Sequence, residues 1–123
     1  MDRKIKVLVV DDQPFIRQIL KIRLTKVGIE VIEAEDGRLA IDFILRLRPD
    51  LILLDLMMPG VDGFEVLTNI KSNLQTQYIK VIIVSAKGQQ EDKNRAYNLG
   101  ADYYLQKPID FNVLFSKIQE LKE

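Results

Sequence analysis

Apolar residues along this chain fall into two alternating patterns. Short unbroken runs, such as VLVV, LILL and VIIV, are separated by longer segments in which apolar residues recur every three or four positions. Unbroken β-branched runs bounded by turn residues predict buried strands, and the longer period predicts helices with one apolar face. Strands are therefore expected over residues 5–10, 30–34, 51–54, 81–84 and 102–105. A first helix starts at Pro14, carries Phe15, Ile16, Ile19, Leu20, Leu24 and Val27 at helical spacing, and stops at Gly28. A second carries Leu39, Ala40, Phe43, Ile44 and Leu47 and ends before Pro49. A third follows DGFE, where Asp62 and Glu65 have capping-box spacing, with a stripe of Phe64, Leu67, Ile70 and Leu74. Residues 89–99 form a fourth, ended by Gly100, and Asp110 caps a fifth with Phe111, Leu114, Phe115, Ile118 and Leu121 on one face.

Strand and helix thus alternate five times, and three of the strands are apolar throughout. Strands buried on both faces and joined by crossover helices imply an α/β domain with a parallel sheet between two helical layers. The right-handed crossover rule leaves few topologies. The expected one is a flavodoxin-like, doubly wound sheet of five strands in the order 2-1-3-4-5, flanked by five helices. One domain spanning 1–123 is expected, with no output domain.

Composition narrows the function. The 123 residues are 47% hydrophobic and 29% charged, with a formal net charge of zero. A neutral chain lacks the basic surface that nucleic-acid binding needs, so no nucleic-acid partner is expected. No apolar run approaches membrane-spanning length, and the first residues have no signal-peptide core, which points to a cytoplasmic protein with no membrane partner. Without cysteine or histidine there is no thiolate chemistry, and the chain cannot itself carry a phosphohistidine.

The informative polar residues sit at the ends of the apolar runs. Asp11 and Asp12 follow the first strand and Asp55 follows the third. In the 2-1-3-4-5 order these strands are neighbours, and ligands bind beyond their carboxyl ends where the connections diverge. Ser85 after the fourth strand and Lys107 after the fifth reach the same edge. Three carboxylates in one crevice repel unless compensated. A divalent cation together with the Lys107 ammonium brings the formal sum to zero. Every candidate ligand is an oxygen, which favours Mg²⁺, Mn²⁺ or Ca²⁺. Asp11 and Asp12, side by side, suit metal holding; Asp55, alone between leucines, suits a nucleophile that accepts a phosphoryl group.

The segments VLVVDDQP, LILLDLMMPGVDG, VIIVSAKG and GADYYLQKPID together resemble the response-regulator receiver domain of two-component signalling, over roughly residues 4–121. The resemblance implies that Asp55 is the phospho-acceptor. It implies that Asp12, Asp55 and the main-chain carbonyl of Met57 bind Mg²⁺, with Asp11 acting mostly through water. Ser85 becomes a hydroxyl switch residue, Lys107 the phosphoryl contact, Tyr104 the aromatic switch, and Lys107–Pro108 a cis bond. The implied partners are a sensor histidine kinase or phosphotransfer protein and an unknown downstream protein. The resemblance also implies that the signal passes through the face of the fourth helix, fifth strand and fifth helix, and a monomer or weak dimer is expected. The fourth helix offers only Ala96, Tyr97 and Leu99 as apolar anchors, against six in the first, so it is the expected mobile element. Met57 and Lys87, two residues past Asp55 and Ser85, are expected from the resemblance to flank the path of a hydrolytic water, and neither can orient it as a carboxylate or carboxamide would. Slow-to-moderate loss of the phosphoryl group is therefore expected.

Simpler readings exist for each residue. Asp11 and Asp12 can start a loop and cap a helix, Ser85 can be a turn residue, Lys107 a solvated charge and Tyr104 a half-buried strand residue. Pro59, Gly60, Gly63 and Gly88 read as turn chemistry. Rival functions are a magnesium phosphohydrolase of the haloacid dehalogenase kind, a flavin carrier and an unphosphorylated scaffold. The hydrolase wants an Asp-x-Asp pair and a lid, whereas here the acids are adjacent and no insertion is long enough for a lid. A flavin phosphate would be repelled by DDQP. The scaffold is separable only by asking whether Asp55 is modified.

Overall fold

A computed structural model describes residues 3–122; Met1, Asp2 and Glu123, which the expected span 1–123 includes, lie outside the described residues. The elements run β1 Lys6–Val10, α1 Pro14–Lys26, β2 Glu30–Ala34, α2 Gly37–Leu47, β3 Leu51–Leu54, α3 Gly63–Ser72, β4 Lys80–Ser85, α4 Gln90–Asn98, β5 Tyr103–Gln106 and α5 Phe111–Leu121. The strands pair in parallel in the order β2-β1-β3-β4-β5, as expected from the alternation.

Because successive strand side chains point to opposite faces, the apolar runs feed two cores at once. Leu8, Val10, Ile52, Leu54, Val81 and Ile83 meet residues of α2, α3 and α4, including Ala40, Ile44, Val66, Leu67, Ile70 and Ala96. Val7, Val9, Leu51, Leu53, Ile82 and Val84 meet α1 and α5 through Leu20, Leu24, Leu114 and Ile118. Burying one such side chain is worth about 1.5–3 kcal/mol, so the three central strands are the best-anchored part of the molecule.

Helix ends follow the caps. Asp36, Asp62 and Asp110 accept backbone N–H groups at the starts of α2, α3 and α5. Only half of the expected capping box forms around the third: Asp62 Oδ1 accepts from Glu65 N at 3.0 Å. Three apolar positions depart from the expected stripes. Leu74 is 82% exposed, because α3 stops at Asn73, which turns extended and whose Oδ1 accepts from Gln75 N. Phe15 and Val27 are also exposed: Leu20 and Leu24 set the buried face of α1, and Val27 follows its last turn. Of the six expected anchors of the first helix, Leu20 and Leu24 are fully buried and Ile16 packs partly against the core. The fourth has one, Ala96, with Leu99 partly packed and Tyr97 exposed.

Candidate functional site

Backbone hydrogen bonds carry the strand ladder one residue past each strand end. Asp11 N donates to Ala34 O at 3.2 Å, Asp55 N to Val10 O at 3.0 Å and Lys107 N to Ser85 O at 2.8 Å. Val10 pairs with Leu54, so Asp11 and Asp55 lie side by side at the carboxyl edge. Oxygens of Asp11, Asp12 and Asp55 lie within 4.8 Å of one another, with Asp11 and Asp55 buried and Asp12 exposed. Lys107, which is 96 residues from Asp11, reaches in from beyond β5. Its Nζ donates to Asp11 Oδ2 at 2.9 Å, Gln13 Oε1 at 3.3 Å and Asp55 Oδ2 at 3.4 Å. The Lys107–Pro108 peptide bond is cis.

Each acid is further held by main chain. Asp55 Oδ1 accepts from Met57 N at 3.1 Å and Asp11 Oδ1 from Gln13 N at 2.9 Å. Met57's own side chain is exposed. Ser85 is fully buried, and its Oγ accepts from Lys87 N at 3.3 Å. Tyr104 is buried on β5, and its hydroxyl donates to Lys87 O at 2.7 Å, tying β5 to the start of the β4–α4 loop. Lys87 itself turns to Asp92 of α4. Asp12, Gln13, Asp55, Met57, Ala86 and Lys107 line an open cleft of about 220 Å³. The structure thus brings Asp11, Asp12, Asp55 and Lys107 into one cluster, with Met57 at its lip. Ser85 and Tyr104 stand beside it, joined through the backbone of Lys87.

The electrostatics are those of an undercompensated acid pair. Burial raises the Asp55 carboxyl above the usual aspartate value, and the Asp11 charge adds to this; the Met57 N–H and Lys107 only partly oppose it. Burial lowers the Lys107 ammonium, but its bond to Asp11 and the charges of Asp55 and Asp11 outweigh this and leave it above the ordinary lysine value. Burial, then the Asp92 charge, raises the Tyr104 phenol. Two buried carboxylates, a third at the lip and a single ammonium fit a hard divalent cation: the donor set is all oxygen and carries excess negative charge.

Three residues of this rim escape pattern reading. Gln13 is the third acceptor for Lys107. Arg17 donates from Nη1 to Asp11 O at 2.7 Å and pins that backbone from α1. Gly63 is more than a turn residue: a Cβ there would stand 2.3 Å from Asp55 O and 2.6 Å from Leu56 Cα. Only glycine lets the start of α3 pack against the strand end that presents Asp55. The one available signal for Gln13 is its place directly after the acidic pair.

Fold and site together define a receiver module, and comparison with known proteins agrees. The family model for the response regulator receiver domain matches residues 7–119, and the chain belongs to that family. It is 38% identical over 94% of its length to the DNA-binding dual master transcriptional regulator RpaA of Synechocystis sp., covering 48% of that protein. It is 39% identical over 94% of its length to the response regulator PleD of Caulobacter vibrioides, covering 26% of it. The chain therefore spans about half, or about a quarter, of these curated relatives. Among solved structures it is similar to the chemotaxis protein CheY4 of Vibrio cholerae, at 31% identity and a TM-score of 0.90, covering 97% of this chain and 99% of that one. A Francisella response-regulator receiver domain is similar at 34% identity and a TM-score of 0.90, with 97% of each chain covered. Among the described residues, no helix is long and apolar enough to cross a membrane.

Proposed function

We propose that this chain is a phosphorylation-dependent switch in which Asp55 accepts a phosphoryl group from the phosphohistidine of a sensor kinase or phosphotransfer protein in the cytoplasm. One observation carries the reading: a buried Asp55 carboxylate with Lys107 Nζ 3.4 Å from its Oδ2 and the oxygens of Asp11 and Asp12 beside it. In the transfer, an Asp55 oxygen forms the new O–P bond as the N–P bond breaks. The imidazole leaves with the bonding electrons and is protonated by solvent. The Lys107 ammonium, already at Asp55, contacts the incoming phosphoryl oxygens, and the Ser85 hydroxyl can donate to one of them.

Asp11, Asp12 and Asp55, with the carbonyl of Met57, are the residues that would hold Mg²⁺; Mn²⁺ or Ca²⁺ can substitute in an all-oxygen site. When bound, the cation neutralises the excess charge of the acids and of the transferred group. Ser85, Lys87 and Tyr104 then link the modified aspartate to the lightly anchored α4 and to β5, the face that passes the signal to a downstream protein. Neither the Met57 side chain nor Lys87, turned toward Asp92, can orient a hydrolytic water, so the acyl phosphate is lost slowly to moderately.

The test is intact mass after incubation with Mg²⁺ and a small acyl phosphate. A single phosphoryl addition, absent from Asp55→Asn, is expected. An unmodified wild-type chain would make it a scaffold, and turnover of phosphate esters would make it a hydrolase.

A further inference from the structure

We infer that Gln13 is a positioning residue: it keeps the Lys107 ammonium beside Asp55 when a divalent cation occupies the carboxylates. This rests on the metal reading above. An ammonium has three protons to donate, and Lys107 Nζ has three acceptors, Asp11, Gln13 and Asp55. Two of these are also the acids that a cation would claim. Gln13 Oε1 alone belongs to a neutral side chain, and it lines the same cleft as Asp12 and Asp55. A cation entering the site withdraws electron density from Asp11 and Asp55 and repels the ammonium. Without another acceptor, Lys107 would either resist the cation or swing into solvent, away from the atom it serves.

Gln13 has the placement this task needs. It stands at the N-cap of α1, yet its side chain caps nothing there. Its backbone N–H is bonded to Asp11 Oδ1, which fixes its Cα against the site. Its carboxamide is free to reach Lys107 across 94 residues of sequence. Loss of Gln13 removes a bond in both the free and the cation-bound states, so only the difference between them changes affinity. In the free state the bond is long and two carboxylates share the ammonium. In the bound state those carboxylates are engaged and Gln13 carries more of the load. Gln13→Ala therefore weakens cation binding, and does so only through Lys107.

The experiment is a double-mutant cycle of Mg²⁺ affinity, followed by backbone amide shifts of the full chain, with Gln13→Ala made in the wild-type and Lys107→Met backgrounds. Folding is checked from the same spectra. Gln13→Ala is expected to weaken Mg²⁺ binding about twofold to fivefold, part of the worth of one hydrogen bond, in the wild-type background. In Lys107→Met it should have no effect. No loss in wild type, or an equal loss in both backgrounds, overturns the assignment. A wild-type chain with no Mg²⁺ affinity overturns the metal reading and this inference with it.

Discussion

The two edges of the sheet use the same residue types to opposite ends. At the amino edge, Asp50 and Asp102 each stand just before a strand, and each takes one strand N–H and one cation. Asp50 Oδ2 accepts from Lys6 N at 2.7 Å while its carboxylate pairs with Arg3. Asp102 Oδ2 accepts from Val81 N at 2.8 Å and Lys71 Nζ at 3.3 Å. At the carboxyl edge, Asp11 and Asp55 are more deeply buried and share one ammonium, with Asp12 adding a further charge. The Arg3 bond outweighs burial and lowers the Asp50 carboxyl, whereas burial and Asp11 raise that of Asp55. Acids with one partner each act as staples between segments distant in sequence. Acids in excess of their partners hold unspent electrostatic potential, which a cation can relieve.

Removing a staple gives the largest change in stability. Asp102→Ala strands the half-buried Lys71 ammonium with only the carbonyls of Gln77 and Ile79, and it leaves Val81 N without its acceptor. The expected loss is about 2–3 kcal/mol in urea unfolding. A loss below about 0.5 kcal/mol would mean that the amino edge is not held by its acids.

Removing a buried carboxylate's charge at the other edge should have the reverse sign. Asp55→Asn keeps the shape, removes the buried charge and ends the repulsion with Asp11. A folded-state value above the unfolded one means that ionised Asp55 costs stability above that folded value, and that the cost disappears below the unfolded one. Asp55→Asn should therefore be more stable by about 1–2 kcal/mol at neutral pH in chelator, and the gap should close as pH falls. Millimolar Mg²⁺ should also narrow it, by stabilising the wild type more than the variant. A destabilised Asp55→Asn would place the carboxyl edge among the staples and erase the contrast.

What could be read from sequence follows the same division. The central strands were legible because burial on both faces leaves an unbroken apolar run, and the site because Asp11, Asp12 and Asp55 end those runs. Helix faces were less legible: Phe15 and Leu74 fit a helical period, but the buried face of α1 and the Asn73 turn decide their exposure. Arg17 was invisible, and Gln13 was marked only by following the acidic pair, because their partners, a main-chain carbonyl and a lysine side chain far along the chain, leave no periodic trace. Gly63 looked like a turn because sequence spacing carries no measure of how closely two backbones approach.

The smallest effect belongs to Asp50, and its value lies in its direction with pH. Its folded-state carboxyl titrates below the unfolded value, so its contribution is complete above about pH 4 and is lost as pH falls through the unfolded and then the folded value. This is the opposite slope to Asp55. The Arg3 bond that lowers this carboxyl is made by an exposed side chain and is screened by solvent, which keeps the effect small. Asp50→Asn, whose carboxamide oxygen accepts from Lys6 N more weakly than a carboxylate does, should cost about 0.5–1 kcal/mol at neutral pH. Unfolding followed from neutral pH into acid should then show Asp50→Asn and wild type converging from below, while Asp55→Asn and wild type converge from above. Convergence from the same side in both would mean that the two edges do not differ in how their acids are compensated.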